Sequence, residues 1–550
     1  MPGKRQSSRP RRPAAGQPRS GQSGSAQPRS AQPRSAQPRS AQPRSAQPRS
    51  AQPRSAGPRP AGRRADPARR AAYDVIRAVA DRDAYANLLL PALLSERGLT
   101  GRDAAFATEL TYGTLRGRGT YDAILAACSD RDELDPPVRD VLRLGTHQLL
   151  ATRVGRHAAV STSVDLAKDV CGPRPSGFVN AVLRRVATRD LDEWIKIVAP
   201  DRSQDPSGYL AIRYSYPRWI VDAFRDALGP AAPAELEDAL AAGNARPAVV
   251  LALAPRDAPA SPAADDAPAS PAADDAPASP AADEVAAGPL PAGDRTRWSP
   301  YGYRLAGGDP AALVAVGAAV QDEASQLAAL ALTRLALTPL GPNPEAPGTP
   351  EVPAEPDRLW LDLCAGPGGK ARLLAGLAAG RGARLLASDV HPHRARRVRD
   401  ALSRAGGSGH GVIAADGRRV PWSPGTFDRV LADVPCSGLG SLRRRPEARW
   451  RKTPADVTEL AALQRQLLSA AINAARPGGV VAYVTCSPHL AETQDVVTDV
   501  VRSRPDVTIL DAPAVLPEVP ALRALDPRFA QFWPHRHGTD AIFLSLLRRC

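Results

Sequence analysis

Between Leu359 and Thr485, short apolar runs alternate with stretches of helical periodicity. The runs are Leu359–Leu363, Leu385–Ser388, Val412–Ala414, Arg429–Ala432 and Val480–Thr485; Gly369–Ala379, Pro392–Ala405 and Asp456–Ala475 read as helices between them. Strands that alternate with helices pair in parallel and are covered on both faces, so this region predicts a doubly wound α/β domain. Ala541–Leu547 is expected to add an edge strand. In such sheets a ligand sits beyond the carboxyl ends of the strands, which directs attention to the residues just past each run.

Those residues are chemically rich. The first run leads into Cys364-Ala365-Gly366-Pro367-Gly368-Gly369-Lys370 and then a helix. Glycines let a ligand approach the backbone, and a helix start presents free N–H groups. The spacing is not that of a P-loop. Asp389 ends the second run, Asp416 the third and Asp433 the fourth. A carboxylate there can accept from ribose hydroxyls, and three along one sheet edge form a nucleoside-binding crevice, although a lone aspartate at such a place serves equally as a turn or cap.

Cys436 follows the fourth run in Asp433-Val434-Pro435-Cys436-Ser437-Gly438, and Cys486 follows the fifth in Tyr483-Val484-Thr485-Cys486-Ser487-Pro488. Carbon 5 of a pyrimidine becomes nucleophilic only after something adds to carbon 6. A thiolate does this well, since a thiol pKa of about 8.5 is readily lowered at an electropositive site. Two cysteines suit two tasks, covalent addition and release, but the residues alone leave open which sulfur attacks. The six cysteines form no close pairs for zinc; Cys128 and Cys171 read as small buried hydrophobes.

Organisation upstream is of another kind. At 550 residues the chain exceeds one ordinary core. The first 70 residues carry 17 Lys and Arg against the single acid Asp66, a net +16, so the other 480 residues sum to −1 of the total +15. The pentapeptide Ser-Ala-Gln-Pro-Arg repeats from Ser25 to Arg54, a composition that predicts a disordered basic N-terminal tail, either a tether or a sequence-blind phosphate-binding arm. From Ala68 to Val186 helical spacing dominates, as in Val75, Ile76 and Val79, and a last helix is expected over Ser176–Val186. An acidic, Pro-rich triple repeat at 257–284 reads as a disordered insertion between strands of a small subdomain, Pro247–Leu253 and Trp298–Leu305. The basic stretch Arg443–Lys452 is expected to grip RNA backbone, with Trp450 free for stacking on a base that has left its helix. No apolar run approaches the roughly 20 residues that cross a bilayer, and no signal-peptide core is visible, so a soluble cytoplasmic chain is expected.

The two cysteine motifs in this order, the Cys364–Lys370 turn, Val320–Gln326 (Val-Gln-Asp-Glu-Ala-Ser-Gln) and His537-Gly538-Thr539-Asp540 carry a family resemblance. The chain resembles the RsmB (Sun/Fmu) group of the RsmB/NOP-type RNA cytosine carbon-5 methyltransferases over about residues 68–550, the acidic insertion apart. The resemblance implies a Rossmann-like methyltransferase domain at 319–550, a small α+β subdomain at 205–318, an all-α NusB-like RNA-binding domain at 68–190 and a tail at 1–67. It further implies S-adenosylmethionine bound by Cys364, Ala365, Gly366, Pro367, Gly368, Gly369, Lys370, Asp389, Asp416 and Asp433, with Asp433 also near the target base. Cys486 would be the nucleophile and Cys436 the residue that assists elimination. The implied substrate is RNA, small-subunit rRNA first, and the implied enzyme is a monomer without metal or membrane partner. Gly366 departs from the family's more usual alanine, a change a turn should tolerate. Two rival readings remain: a non-catalytic NusB-like RNA-binding or antitermination factor, and a DNA cytosine methyltransferase. The first would not need strand-end aspartates and cysteines, and the second would not need the Thr485-Cys486-Ser487 motif.

Overall fold

Helix signals in the sequence are used where they fall. Asp66 caps helix Pro67–Asp81 through a bond from Arg69 N at 3.0 Å, with proline at the first helical position. Asp190 and Glu193 form a reciprocal capping box on Leu191–Val198, and Thr453 with Asp456 does the same for Pro454–Ala474. In this computed structural model the described residues are 65–253, 292–307, 310, 313–314, 318–337, 356–405 and 409–550. The repeat tail and the acidic insertion 257–284 lie outside them. Residues 63–550 form one compact unit.

Seven helices between Pro67 and Val186 enclose a core of Val75, Ile76, Leu110, Ile124, Val141, Leu144, Leu166 and Leu183, an all-α domain as expected. Three further helices, Pro206–Tyr214, Arg218–Leu228 and Ala232–Ala242, bury Leu210, Ile220, Phe224 and Leu240 against Leu439, Leu442, Trp533 and Ala541 of the C-terminal half. These helices therefore share a core with the α/β domain. A small antiparallel sheet follows, with strands β1 (Val250–Ala252), β2 (Gly293–Arg295), β3 (Gly302–Leu305) and β4 (Ala319–Val320) in the order β2-β3-β1-β4. Its fourth strand lies just past residue 318.

The large sheet is built from β5 (Leu359–Asp362), β6 (Arg384–Asp389), β7 (His410–Ala414), β8 (Phe427–Asp433), β9 (Ala475–Thr485), β10 (Val507–Leu510), β11 (Ala530–Gln531) and β12 (Phe543–Arg549). Its order is β10-β12-β9-β8-β5-β6-β7, with β11 paired to β12. The strands β7, β6, β5, β8 and β9 run parallel, as the alternation of elements requires. The last strand is not at the edge. β12 lies between β9 and β10 and pairs antiparallel with both, so its apolar residues are buried on both faces and read as a continuous run. The edge is β10, only four residues long and partly exposed, too weak a pattern to be read from sequence. No helix among the described residues is long and apolar enough to cross a membrane.

Candidate active site

The carboxyl ends of β5, β6, β8 and β9 converge. Asp362, Asp389 and Asp433 are the last residues of β5, β6 and β8, and Cys486 follows β9 directly. After β5 the chain turns at Gly368, whose φ of +113° suits glycine, and a methyl there would meet Ala401 Cβ at 2.9 Å and Val398 Cα at 3.2 Å. Helix Gly369–Ala379 then starts beneath the crevice.

The two cysteines predicted from separate motifs meet: Cys436 Sγ and Cys486 Sγ are 3.3 Å apart. Their environments differ. The hydrogen bond between the two thiols holds Cys486 below the ordinary range and Lys370 assists, against burial and the charge of Asp433. That same bond and burial push Cys436 well up. Of the two thiols, Cys486 is the one whose ionisation this contact favours. Lys370 Nζ lies 2.9 Å from Asp433 Oδ2, only 12% of its side chain is exposed, and it donates to Ser325 Oγ at 3.4 Å.

The loop carrying Cys436 is fixed by Glu492, a buried residue that sequence reading missed. Its carboxylate accepts from Ser437 N at 2.7 Å, from Ser437 Oγ and from Gln464 Nε2 at 3.2 Å. Gly440 N donates to Cys486 O at 2.8 Å, and Ala541 N to Gly440 O at 2.9 Å. A methyl on Gly440 would stand 1.9 Å from Ala541 O, so only glycine lets the two cysteine loops approach this closely.

The cofactor-type residues divide. Asp389 Oδ2 accepts from Gly366 N at 3.1 Å and Oδ1 from His391 N at 2.9 Å, which ties β6 to the glycine turn. The carboxylate fills the space an alanine methyl at 366 would need, with Oδ2 2.3 Å from that point. Cys364 is driven up by burial and flanking carboxylates, which suits a lining group better than a nucleophile. Asp416 lies two residues beyond β7 and is paired with Arg418 at 2.7 Å, which holds its carboxyl down to about 2. Asp362 was not singled out, although it ends β5 as Asp389 ends β6. It is fully buried, and neither carboxylate oxygen has a hydrogen-bond partner among the described residues. Burial and the charge of Asp433 push it up to about 8, against the charge of Lys370. A buried acid without a partner, beside a glycine turn and a ribose-type aspartate, fits a nucleoside ligand that brings its own cation.

The basic stretch is a correction. Arg443 bonds Asp540 and Asp322, as does Arg444, and Arg449 is fully buried with donors on Ser215 O, Gly243 O and Tyr216 Oη. Arg451 donates to Val79 O and Ala84 O, and the Arg118 guanidinium sits over the Trp450 ring at 5.6 Å. Arg449 and Arg451 tie the α/β domain to the helices upstream, and Arg443 and Arg444 join segments within it; buried carbonyls and carboxylates attracted these groups more strongly than solvent did. Asp540 N also donates to Asp322 Oδ1 at 3.0 Å, so the Val320–Gln326, Arg443–Arg444 and His537–Asp540 segments form one cluster. Among the described residues no group of three or more His, Cys, Asp or Glu is arranged to hold a metal.

Comparison with known proteins agrees with this geometry. A family model described as 16S rRNA methyltransferase RsmB/F matches residues 352–548, and one described as NusB family matches residues 66–188. Rv1407 of Mycobacterium tuberculosis, named only as a methyltransferase, is 50% identical over 489 residues, 88% of this chain and 97% of its own length. Ribosomal RNA small subunit methyltransferase B of Thermus thermophilus is 31% identical over 487 residues, covering 88% of this chain and 98% of the relative. The crystal structure of PH0851 shares the fold with a TM-score of 0.66 at 20% identity, over 88% of this chain and 98% of that one. A strand-edge crevice with a glycine turn, continuous likeness across the helical and α/β halves, and 31% identity over nearly a whole relative lead to one conclusion: the chain belongs to the RsmB/F family of S-adenosylmethionine-dependent rRNA methyltransferases and is an enzyme of that kind.

Proposed function

We propose that this enzyme methylates carbon 5 of a cytosine in RNA, small-subunit rRNA first, through a covalent adduct on Cys486. The observation that carries the reading is the 3.3 Å approach of two thiols past neighbouring strand ends, beside the Lys370–Asp433 pair. In this reading the turn Cys364–Lys370, with Asp389 and Asp433, holds the donor, while Asp416 contributes from its loop. When bound, S-adenosylmethionine supplies an electrophilic methyl group. The Cys486 thiolate adds to carbon 6 of the cytosine, which makes carbon 5 nucleophilic toward that methyl. Asp433 orients the base, and Lys370 keeps the neighbourhood electropositive enough for the thiolate. After transfer, carbon 5 gives up its proton to water, the bond between carbon 6 and sulfur breaks with Cys436 assisting, and the Cys486 thiolate is restored. The division of labour follows the sequence boundaries: residues 68–190 recruit RNA, 205–318 connect, and 319–550 catalyse.

Bisulfite sequencing of rRNA from cells lacking this chain and complemented with variants tests the reading. Cys486→Ala is expected to abolish one 5-methylcytosine. Cys436→Ala should accumulate a slow-migrating protein–RNA species on a denaturing gel. Full methylation by the Cys486→Ala protein would refute the covalent scheme.

A further inference from the structure

Gln321 is a buried side chain that the reaction above does not use. It is 8% exposed, and neither Oε1 nor Nε2 of its amide has a hydrogen-bond partner among the described residues. Buried amides are nearly always satisfied, so one without partners calls for a ligand or water. Its backbone is firmly held: Gln321 N donates to Val250 O of β1 at 2.9 Å, and its carbonyl accepts from Gln326 Nε2 at 3.2 Å. Its neighbour Asp322 is committed to Arg443, Arg444 and the start of helix Glu323–Arg334.

The amide lies over the glycine turn. A methyl on Gly369 would stand 3.7 Å from Gln321 Cδ and 3.8 Å from Nε2. Gly369 opens helix Gly369–Ala379, whose first backbone bond runs from Arg372 N to Gly368 O at 2.9 Å. The N–H groups of Gly369, Lys370 and Ala371 are thus the free donors of a helix start, a place that favours an anion. An unpartnered amide thus stands beside a free helix start.

We propose that Gln321 is a donor-binding residue: its amide N–H, with the first-turn N–H groups of helix Gly369–Ala379, takes the carboxylate of the amino-acid arm of S-adenosylmethionine. The small sheet then closes the donor seat from outside the doubly wound domain, because Gln321 directly follows β4. An RNA phosphate is the competing anion, and the burial of Gln321 argues for the smaller ligand. This inference rests on donor binding at the 364–370 turn.

Calorimetric titration of the full chain with S-adenosylhomocysteine and with 5′-methylthioadenosine, which lacks the amino-acid arm, separates the possibilities. Gln321→Ala is expected to weaken S-adenosylhomocysteine about tenfold, as for loss of one hydrogen bond to a charged group, and to leave 5′-methylthioadenosine within about twofold. Gln321→Met, which keeps the volume, should behave alike and guards against a folding defect in the smaller variant. Unchanged S-adenosylhomocysteine binding, equal weakening of both ligands, or a loss confined to RNA affinity each overturns the assignment. Failure of the unaltered chain to bind either nucleoside would instead defeat donor binding at this turn, and the Gln321 assignment with it.

Discussion

Asp362 holds its proton up to about 8 because burial strips its water and Asp433 opposes a second charge. An aspartate in the unfolded chain ionises near pH 4, so raising the pH favours the unfolded form until the folded group also ionises. The stability associated with this group therefore declines from about pH 4 to about pH 8 and is level above. Asp362→Asn, which cannot ionise, is expected to remove that decline and so to be more stable relative to the parent at pH 8 than at pH 5, while weakening S-adenosylhomocysteine. Thermal unfolding at a series of pH values checks this, and identical slopes for both proteins between pH 5 and 8 would contradict it. Sequence made Asp389 and Asp433 conspicuous and passed over Asp362. What sets Asp362 apart is desolvation, and no residue pattern reports that.

The cluster of Asp322, Asp540, Arg443 and Arg444 works at the scale of elements. It joins the start of helix Glu323–Arg334, the loop after Cys436 and the turn before β12, three segments spread over more than two hundred residues. Side-chain exposure of Asp322, Asp540 and Arg443 is 6–8%, so removing one carboxylate leaves a buried guanidinium with too few partners. Asp322→Ala is expected to cost about 3–5 kcal/mol and to loosen the Cys436 loop. Urea denaturation measures the first effect, and faster alkylation of Cys436 by iodoacetamide reports the second; a variant within 1 kcal/mol of the parent would rule the cluster out as a clamp. The arginines were legible as a basic run, but their partners were not.

For the whole molecule, basic charge and the catalytic unit are separate in the sequence. Residues 1–60 carry 13 Lys and Arg and no acid, whereas arginines near the site are largely paired or buried. Phosphate contacts made by a chain segment set the salt slope of RNA binding. Deleting residues 1–60 is expected to lower RNA affinity at low salt, to flatten the dependence of affinity on salt, and to leave turnover at saturating RNA unchanged. Filter binding across a salt series with single-turnover methylation decides it; loss of all activity would show that the segment belongs to the catalytic unit.

The sequence by itself determined the element types, the parallel character of the first five strands of the large sheet and the positions of Asp389, Asp433, Cys436 and Cys486 at or just past strand ends, because periodicity and turn residues are local properties. Tertiary structure alone decided that β12 enters the sheet interior, that Arg443–Arg451 turns inward, and that Gln321 faces the glycine turn. Each of those depends on which distant surface a group meets and how much water it loses there. Pairing of remote segments and desolvation are properties of the packed molecule.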